Sequence, residues 1–115
     1  MSNRMDIDLI EDILVCLTKI EDYIAQMSYE KFQEDPKTQD AVIRNIEIIG
    51  EASKLISKEL KQNYPMIPWK AIAGTKDRLI HDYFGVNIDV VWEIATKDVP
   101  TLKQNLKRIK IELGG

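Results

Sequence analysis

The sequence predicts an all-α protein, an antiparallel bundle of four or five helices. Three observations point there. Apolar residues return at three- and four-residue steps over long stretches, proline and glycine are nearly absent from the first half, and elsewhere they punctuate the periodic segments. Long helices joined by short loops bury their stripes most simply against antiparallel neighbours. From Asp6 onward, Ile10, Ile13, Leu14, Leu17, Ile20, Ile24 and Met27 form one stripe, with Glu11, Asp12, Lys19, Glu21 and Asp22 between them, which predicts a helix ending near Met27. Pro36 then breaks the chain and Thr38 is the expected N-cap of a second helix, whose stripe of Val42, Ile46, Ile49, Ala52, Ile56 and Leu60 extends it to about Gln62.

Pro65 and Pro68 bracket a short loop, and Pro68 before Trp69 suits a first helical turn, where a missing amide costs nothing. A third helix follows through Trp69, Ile72, Ala73, Leu79, Ile80 and Tyr83, with Gly85 as its stop. Asn87 or Asp89 opens a brief fourth helix carrying Val90, Val91, Trp92 and Ile94. Asp98 and Pro100 read as the cap and first turn of a last helix with Leu102, Leu106, Ile109 and Leu113 on its face. Trp69 and Trp92 read as packing anchors. No internal repeat or low-complexity segment is visible.

Length and composition narrow the function classes. A chain of 115 residues with 44% hydrophobic and 30% charged residues is expected to form a single domain, residues 1–115, that folds unaided. No apolar run approaches the roughly 18–20 residues of a membrane helix, and residues 1–12 lack the apolar core of a signal peptide, so a cytoplasmic protein with no membrane partner is expected. One cysteine (Cys16) and one histidine (His81) disfavour a disulfide framework or a structural metal, and no cofactor is expected. The net charge of −3 hides an asymmetry: residues 1–60 carry 7 basic and 13 acidic side chains, residues 61–115 carry 9 and 6. A polyanion would meet the second half, although uneven charge usually marks only solvated faces. Lys103, Lys107, Arg108 and Lys110 read as solvated surface first and an RNA-facing rim second.

The stretch from Gly74 to Gly85 holds the chemistry: Lys76, Asp77, Arg78, His81, Asp82 and Tyr83 fall within it. On a regular helix, with about 100° per residue, Asp77 and His81 share one side and Arg78 reaches both His81 and Asp82. Lys76 and Tyr83 share a second stripe, so one monomer need not gather all four groups. A histidine titrating near its ordinary pKa of about 6.5 can carry a proton at neutral pH, and a carboxylate one turn away can fix its tautomer. Lys76 or Arg78 could neutralise charge gathering on a phosphorus-centred transition state. Tyr83 could bond a phosphate, stack under a base or be modified on its phenolic oxygen. A lone histidine more often packs than catalyses, the charged residues could be only ion-paired surface, and Tyr83 and Phe84 could be core.

The segments Trp69 to Gly74 and Asp77 to Val86 closely resemble the HepT-like branch of the HEPN superfamily, the toxin half of a prokaryotic toxin–antitoxin pair. Ala41 to Ala52 and Val91 to Pro100 are similar to it as well, so the likeness spans nearly the whole chain. The resemblance implies a helical bundle and a metal-independent endoribonuclease, recognised by an arginine, four residues, a histidine, one residue and a tyrosine. Here His81 and Tyr83 fill the last two places, Lys76 stands where the arginine is expected, and Asp77 stands where a polar residue, often asparagine, follows it. Lysine keeps the charge but loses the planar fork that grips phosphate, and Arg78 is displaced by about 200° on a regular helix. The resemblance further implies a homodimer that joins two motifs across a cleft, an RNA substrate, and a minimal nucleotidyltransferase antitoxin able to transfer AMP to the motif tyrosine, Tyr83. The expected roles are His81 for the proton, Lys76 with Arg78 for phosphate, Asp77 for orientation and Tyr83 for regulation. The Lys76 departure supports an alternative, a weakened HEPN module that holds RNA or a nucleotidyltransferase without cleavage.

Overall fold

A computed structural model of the chain describes residues 2–82 and 85–114, with side chains described outside residues 2–4, 76 and 80–82. The all-α expectation holds: eight α-helices and one π turn carry the chain, interrupted among the described residues by a single two-stranded ribbon. In order these are α1 (Ser2–Ile24), α2 (Tyr29–Gln33), α3 (Pro36–Leu55), α4 (Lys58–Asn63), α5 (Trp69–Ala73), α6 (Thr75–Leu79), β1 (Ile80–Asp82), β2 (Gly85–Val86), α7 (Ile88–Glu93), the π turn (Ile94–Asp98) and α8 (Val99–Glu112).

The long helices run antiparallel, as side-chain contacts at their ends establish. Asp6, near the start of α1, accepts from the amide and hydroxyl of Ser57, just beyond the end of α3, at 2.9 and 2.6 Å. At the other end of α1, Glu21 receives Lys103 from the beginning of α8 at 2.6 Å, while Lys110 near the end of α8 lies 3.6 Å from Glu11. Lys103 is thus tied down rather than solvated, with only 20% of its side chain exposed. Between the helices the predicted stripes close into one core, in which Ile10, Ile13, Leu17 and Ile20 of α1 meet Val42, Ile46 and Ile49 of α3 and Leu106 and Ile109 of α8. Each fully buried aliphatic side chain contributes about 1.5–3 kcal/mol relative to an exposed one.

Two boundaries of the first half differ from the periodic reading. Pro36 starts α3 instead of breaking the chain before it, because Asp35 is the cap: its carboxylate accepts from the Thr38 amide at 3.0 Å and the Thr38 hydroxyl at 2.7 Å. The second stripe also continues across a break. Ile56 is extended, Ser57 caps α4 by accepting from the Leu60 amide at 3.1 Å, and both Ile56 and Leu60 stay buried, so periodicity alone could not reveal the interruption. Helix α2 was not anticipated; Ser28 caps it, and its Phe32 is completely buried, 5.0 Å from the Trp92 ring. Trp92 is therefore the anchor expected of it, as is buried Trp69, whose indole donates to the Tyr64 carbonyl at 3.0 Å.

The third helix departs furthest from expectation. It ends at Leu79, not Gly85, and is divided by Gly74 into α5 and α6. The Thr75 hydroxyl faces the α5 carbonyls of Ala71 and Ile72 at 3.0 and 2.7 Å, satisfying groups that a helix end leaves free. Beyond Leu79 the chain is extended: β1 pairs antiparallel with β2, Ile80 opposite Val86 and Asp82 opposite Gly85, and the Asn87 amide donates to the Leu79 carbonyl at 2.8 Å. A β-branched residue at Ile80 and a glycine at φ +128°, a conformation closed to most side chains, favour this return over another helical turn.

Asn87 caps α7 by accepting from the Val90 amide at 3.2 Å, one of the two residues expected in that place. Asp98 is not a cap. Its backbone is helical and makes no side-chain cap bond, because α7, the π turn and α8 form one uninterrupted rod. Pro100 has no amide to donate and crowds the preceding turn; the wider π turn before it accommodates both.

Candidate active site

The predicted site residues Lys76, Asp77, Arg78 and His81 lie on α6 and β1, at the end of a segment packed on α3. Gly50 of α3 makes that packing close: a methyl group there would lie 3.3 Å from the Ile72 carbonyl oxygen. Lys76, Asp77 and Arg78 follow one another on α6, with the Asp77 amide bonded to the Gly74 carbonyl at 3.0 Å. Lys76 therefore sits about 200° round the helix from Arg78, so the two cation positions lie on nearly opposite faces. His81 and Asp82 are on β1. The helical ladder expected to bring Asp77 and Arg78 to His81, and Arg78 to Asp82, does not form, because helical spacing ends two residues before the histidine. Tyr83 and Phe84 fall outside the described residues, as do the side chains of Lys76, His81 and Asp82.

Arg78 turns instead toward the π turn, where its guanidinium lies 3.7 Å from the Asp98 carboxylate, the two side chains 44% and 54% exposed. This contact bridges the mouth of a cleft of about 250 Å³ between α5–α6 and the π turn with the start of α8. Ile72, Ile94 and Leu102 form its walls, while Arg78, Lys97 and Asp98 stand at its polar edge. Lys97 is 4.0 Å from Glu93 and 74% exposed. The sequence pattern marks Asp98 as a helix cap and does not single out Lys97. Nothing in their spacing from Arg78 signals the meeting, which depends on the fold bringing α6 against the π turn.

Asp77 and Arg78 are exposed, so both can meet a solute directly. Nucleophilic thiol chemistry has no support: Cys16 is buried in the core, and burial pushes its pKa up, away from the reactive thiolate. Among the described residues no three His, Cys, Asp or Glu groups gather as a metal site, and no helix is long and apolar enough to cross a membrane. What the arrangement offers is cationic and carboxylate groups on a short helix leading into a strand that carries the sole histidine.

Comparison with known proteins bears on the same segment. A family model described as Ribonuclease HepT-like matches residues 13–109. A protein of Thermococcus cleftensis named a probable ribonuclease HepT is 44% identical over 103 residues, covering 90% of this chain and 94% of its own. A candidate RNase of Methanocaldococcus jannaschii is 39% identical over 104 residues, covering 90% of this chain and 86% of its own. Another, from Caldanaerobacter subterraneus subsp. tengcongensis, is 46% identical over 83 residues, covering 72% and 74%. No solved structure matches the chain. With the family match spanning α6, β1 and the rods that hold them, and with relatives of this identity covered along most of their length, the chain belongs to the HepT-like ribonuclease family.

Proposed function

We propose that this protein is the toxin component of a HEPN/nucleotidyltransferase toxin–antitoxin pair, a metal-independent endoribonuclease whose site is completed when two copies join as a homodimer. The observation that carries the reading is the family match across residues 76–83, where Lys76, Asp77, His81 and Tyr83 keep the order of the expected motif. In the proposed reaction a ribose 2′-oxygen attacks the adjacent phosphorus, the 5′-oxygen of the next nucleotide leaves, and a 2′,3′-cyclic phosphate forms. His81 removes the 2′-hydroxyl proton or delivers one to the leaving oxygen, with the second protomer's histidine free to perform the complementary transfer. Lys76 and Arg78 stabilise charge on the phosphate oxygens, and Asp77 orients the substrate. Because Lys76 and Arg78 lie on nearly opposite faces of α6, they serve different phosphates or different stages, not one bidentate grip.

In the same reading the antitoxin silences the toxin by transferring AMP onto the Tyr83 phenol, which places a phosphate charge and an adenine beside His81 and repels RNA. Cleavage of cellular RNA by unmodified, antitoxin-free protein, with and without a chelator, is the primary test. His81→Ala is expected to lower the rate about 10²–10⁴-fold, the usual contribution of a positioned acid or base. Lys76→Arg should raise it by restoring the planar fork. Intact RNA with both wild type and Lys76→Arg would instead support the binding module that the lysine departure favours. Co-expression with a cognate nucleotidyltransferase should add one adenylyl mass at Tyr83, and light scattering should find a dimer.

A further inference from the structure

We propose that the cleft between α5–α6 and the π turn seats one base of a bound RNA, with Arg78 and Lys97 taking the phosphate attached to it. The inference rests on the ribonuclease reading above and assigns substrate contacts to Lys97 and to cleft residues outside the motif, with Arg78 shared between the two. Size argues first: about 250 Å³ falls just below the roughly 300–1,000 Å³ of sites for drug-sized ligands, which suits a single ring system. Lining argues next. Ile72, Ile94 and Leu102 offer apolar contact of the kind that holds an unstacked base, while the charged groups are confined to the edge.

The edge has the electrostatics of a phosphate exchange site. Arg78 and Lys97 are balanced by Asp98 and Glu93 only at 3.7 and 4.0 Å, and all four side chains are well exposed. A phosphate accepts charge-assisted bonds at about 2.7–2.9 Å and so displaces these loose carboxylate partners. Two features of the fold bring the cations there: α6 ends one residue after Arg78, and the π turn places Lys97 and Asp98 at the mouth. π turns within helices are frequent at functional sites.

The test titrates the full-length protein with the four nucleoside 5′-monophosphates and with ribose 5-phosphate, which keeps the anion and lacks the base. The best nucleotide is expected to bind about tenfold more tightly than ribose 5-phosphate, a difference of about 1.4 kcal/mol. Ala71→Leu and Thr101→Leu, which add bulk at opposite walls of the mouth, should each abolish most of that advantage and leave ribose 5-phosphate binding unchanged. Equal affinity for ribose 5-phosphate and every nucleotide, or folded variants that bind nucleotides like wild type, overturns the proposal. Should either variant unfold, amide shifts in the wild-type protein decide: nucleotide-induced changes centred on residues 71–78 and 94–102 support the cleft, and changes confined elsewhere overturn it. RNA cleavage without base-dependent binding sinks the cleft assignment alone, whereas base-dependent binding without cleavage sinks the ribonuclease reading alone.

Discussion

The rods and the segment that holds the candidate site are built on different terms. Helices α1 and α3 are 23 and 20 residues long, and each contributes a continuous stripe to the core. Among the described residues between Trp69 and Val86, by contrast, no element exceeds five residues, and burial falls chiefly on Trp69, Thr75 and Leu79. Helices that short are not stable alone, so their geometry is imposed by the rods beneath them. Stability therefore belongs to one region and the candidate site to the other, and the two meet at the close approach of Gly50 to Ile72.

Mutations should separate the two. The largest expected effect is that of Phe32→Ala, which removes a completely buried ring beside Trp92 and should cost about 3–5 kcal/mol in denaturant unfolding, with cleavage falling only as the folded fraction falls. Asp6→Ala leaves the Ser57 amide and hydroxyl without their carboxylate and should cost about 2–4 kcal/mol, again without a specific effect on the site. Gly50→Leu sharpens the contrast. It forces a side chain against the α5 backbone and should cost about 1–3 kcal/mol, yet lower turnover by more than the folded fraction predicts, because α6 is carried out of place. A loss of turnover fully explained by unfolding would mean that α6 is positioned independently of α3.

The smallest effect is electrostatic and confined to the rods. The Thr38 hydroxyl, and then its amide, hold the Asp35 carboxyl below its usual range. A group with a depressed pKa in the fold stabilises above its unfolded pKa of about 3.9, and that contribution is lost as pH falls through that value and the lower folded one. Asp35→Asn retains a good cap but no titration, so its melting temperature should decline less than that of wild type over the acid range. Parallel acid limbs for the two proteins would remove the charge from the account.

The same division explains what could be read from the sequence. The stripes of Ile10 to Ile20 and Val42 to Ile49 are repetitive and local, which made the rods legible. The family likeness was equally legible, because it resides in residue identities such as His81 and Tyr83 and not in periodicity. Helical spacing fails from Ile80 to Asp82 because the two apolar residues leading into it, Leu79 and Ile80, suit helix and strand alike, and pairing with Gly85 and Val86 takes the chain into the ribbon. Asp98 illustrates a second failure. Aspartate two residues before proline is a sound capping signal, and it was overridden by a π turn that no local pattern announced.

That π turn also governs what sequence variation the rod can absorb. The buried positions Val91, Ile94, Ala95, Val99, Leu106 and Ile109 keep one face of the rod on the core through and beyond the wide turn. The wide turn thus acts as a slack coil, storing one residue more than a regular helix of the same length would hold. Loss of Lys97 or Asp98 would leave the rod continuous and α8 seated, while removing one charge from the mouth. A one-residue deletion there would pass as structurally silent and yet rebuild the charged mouth beside α6.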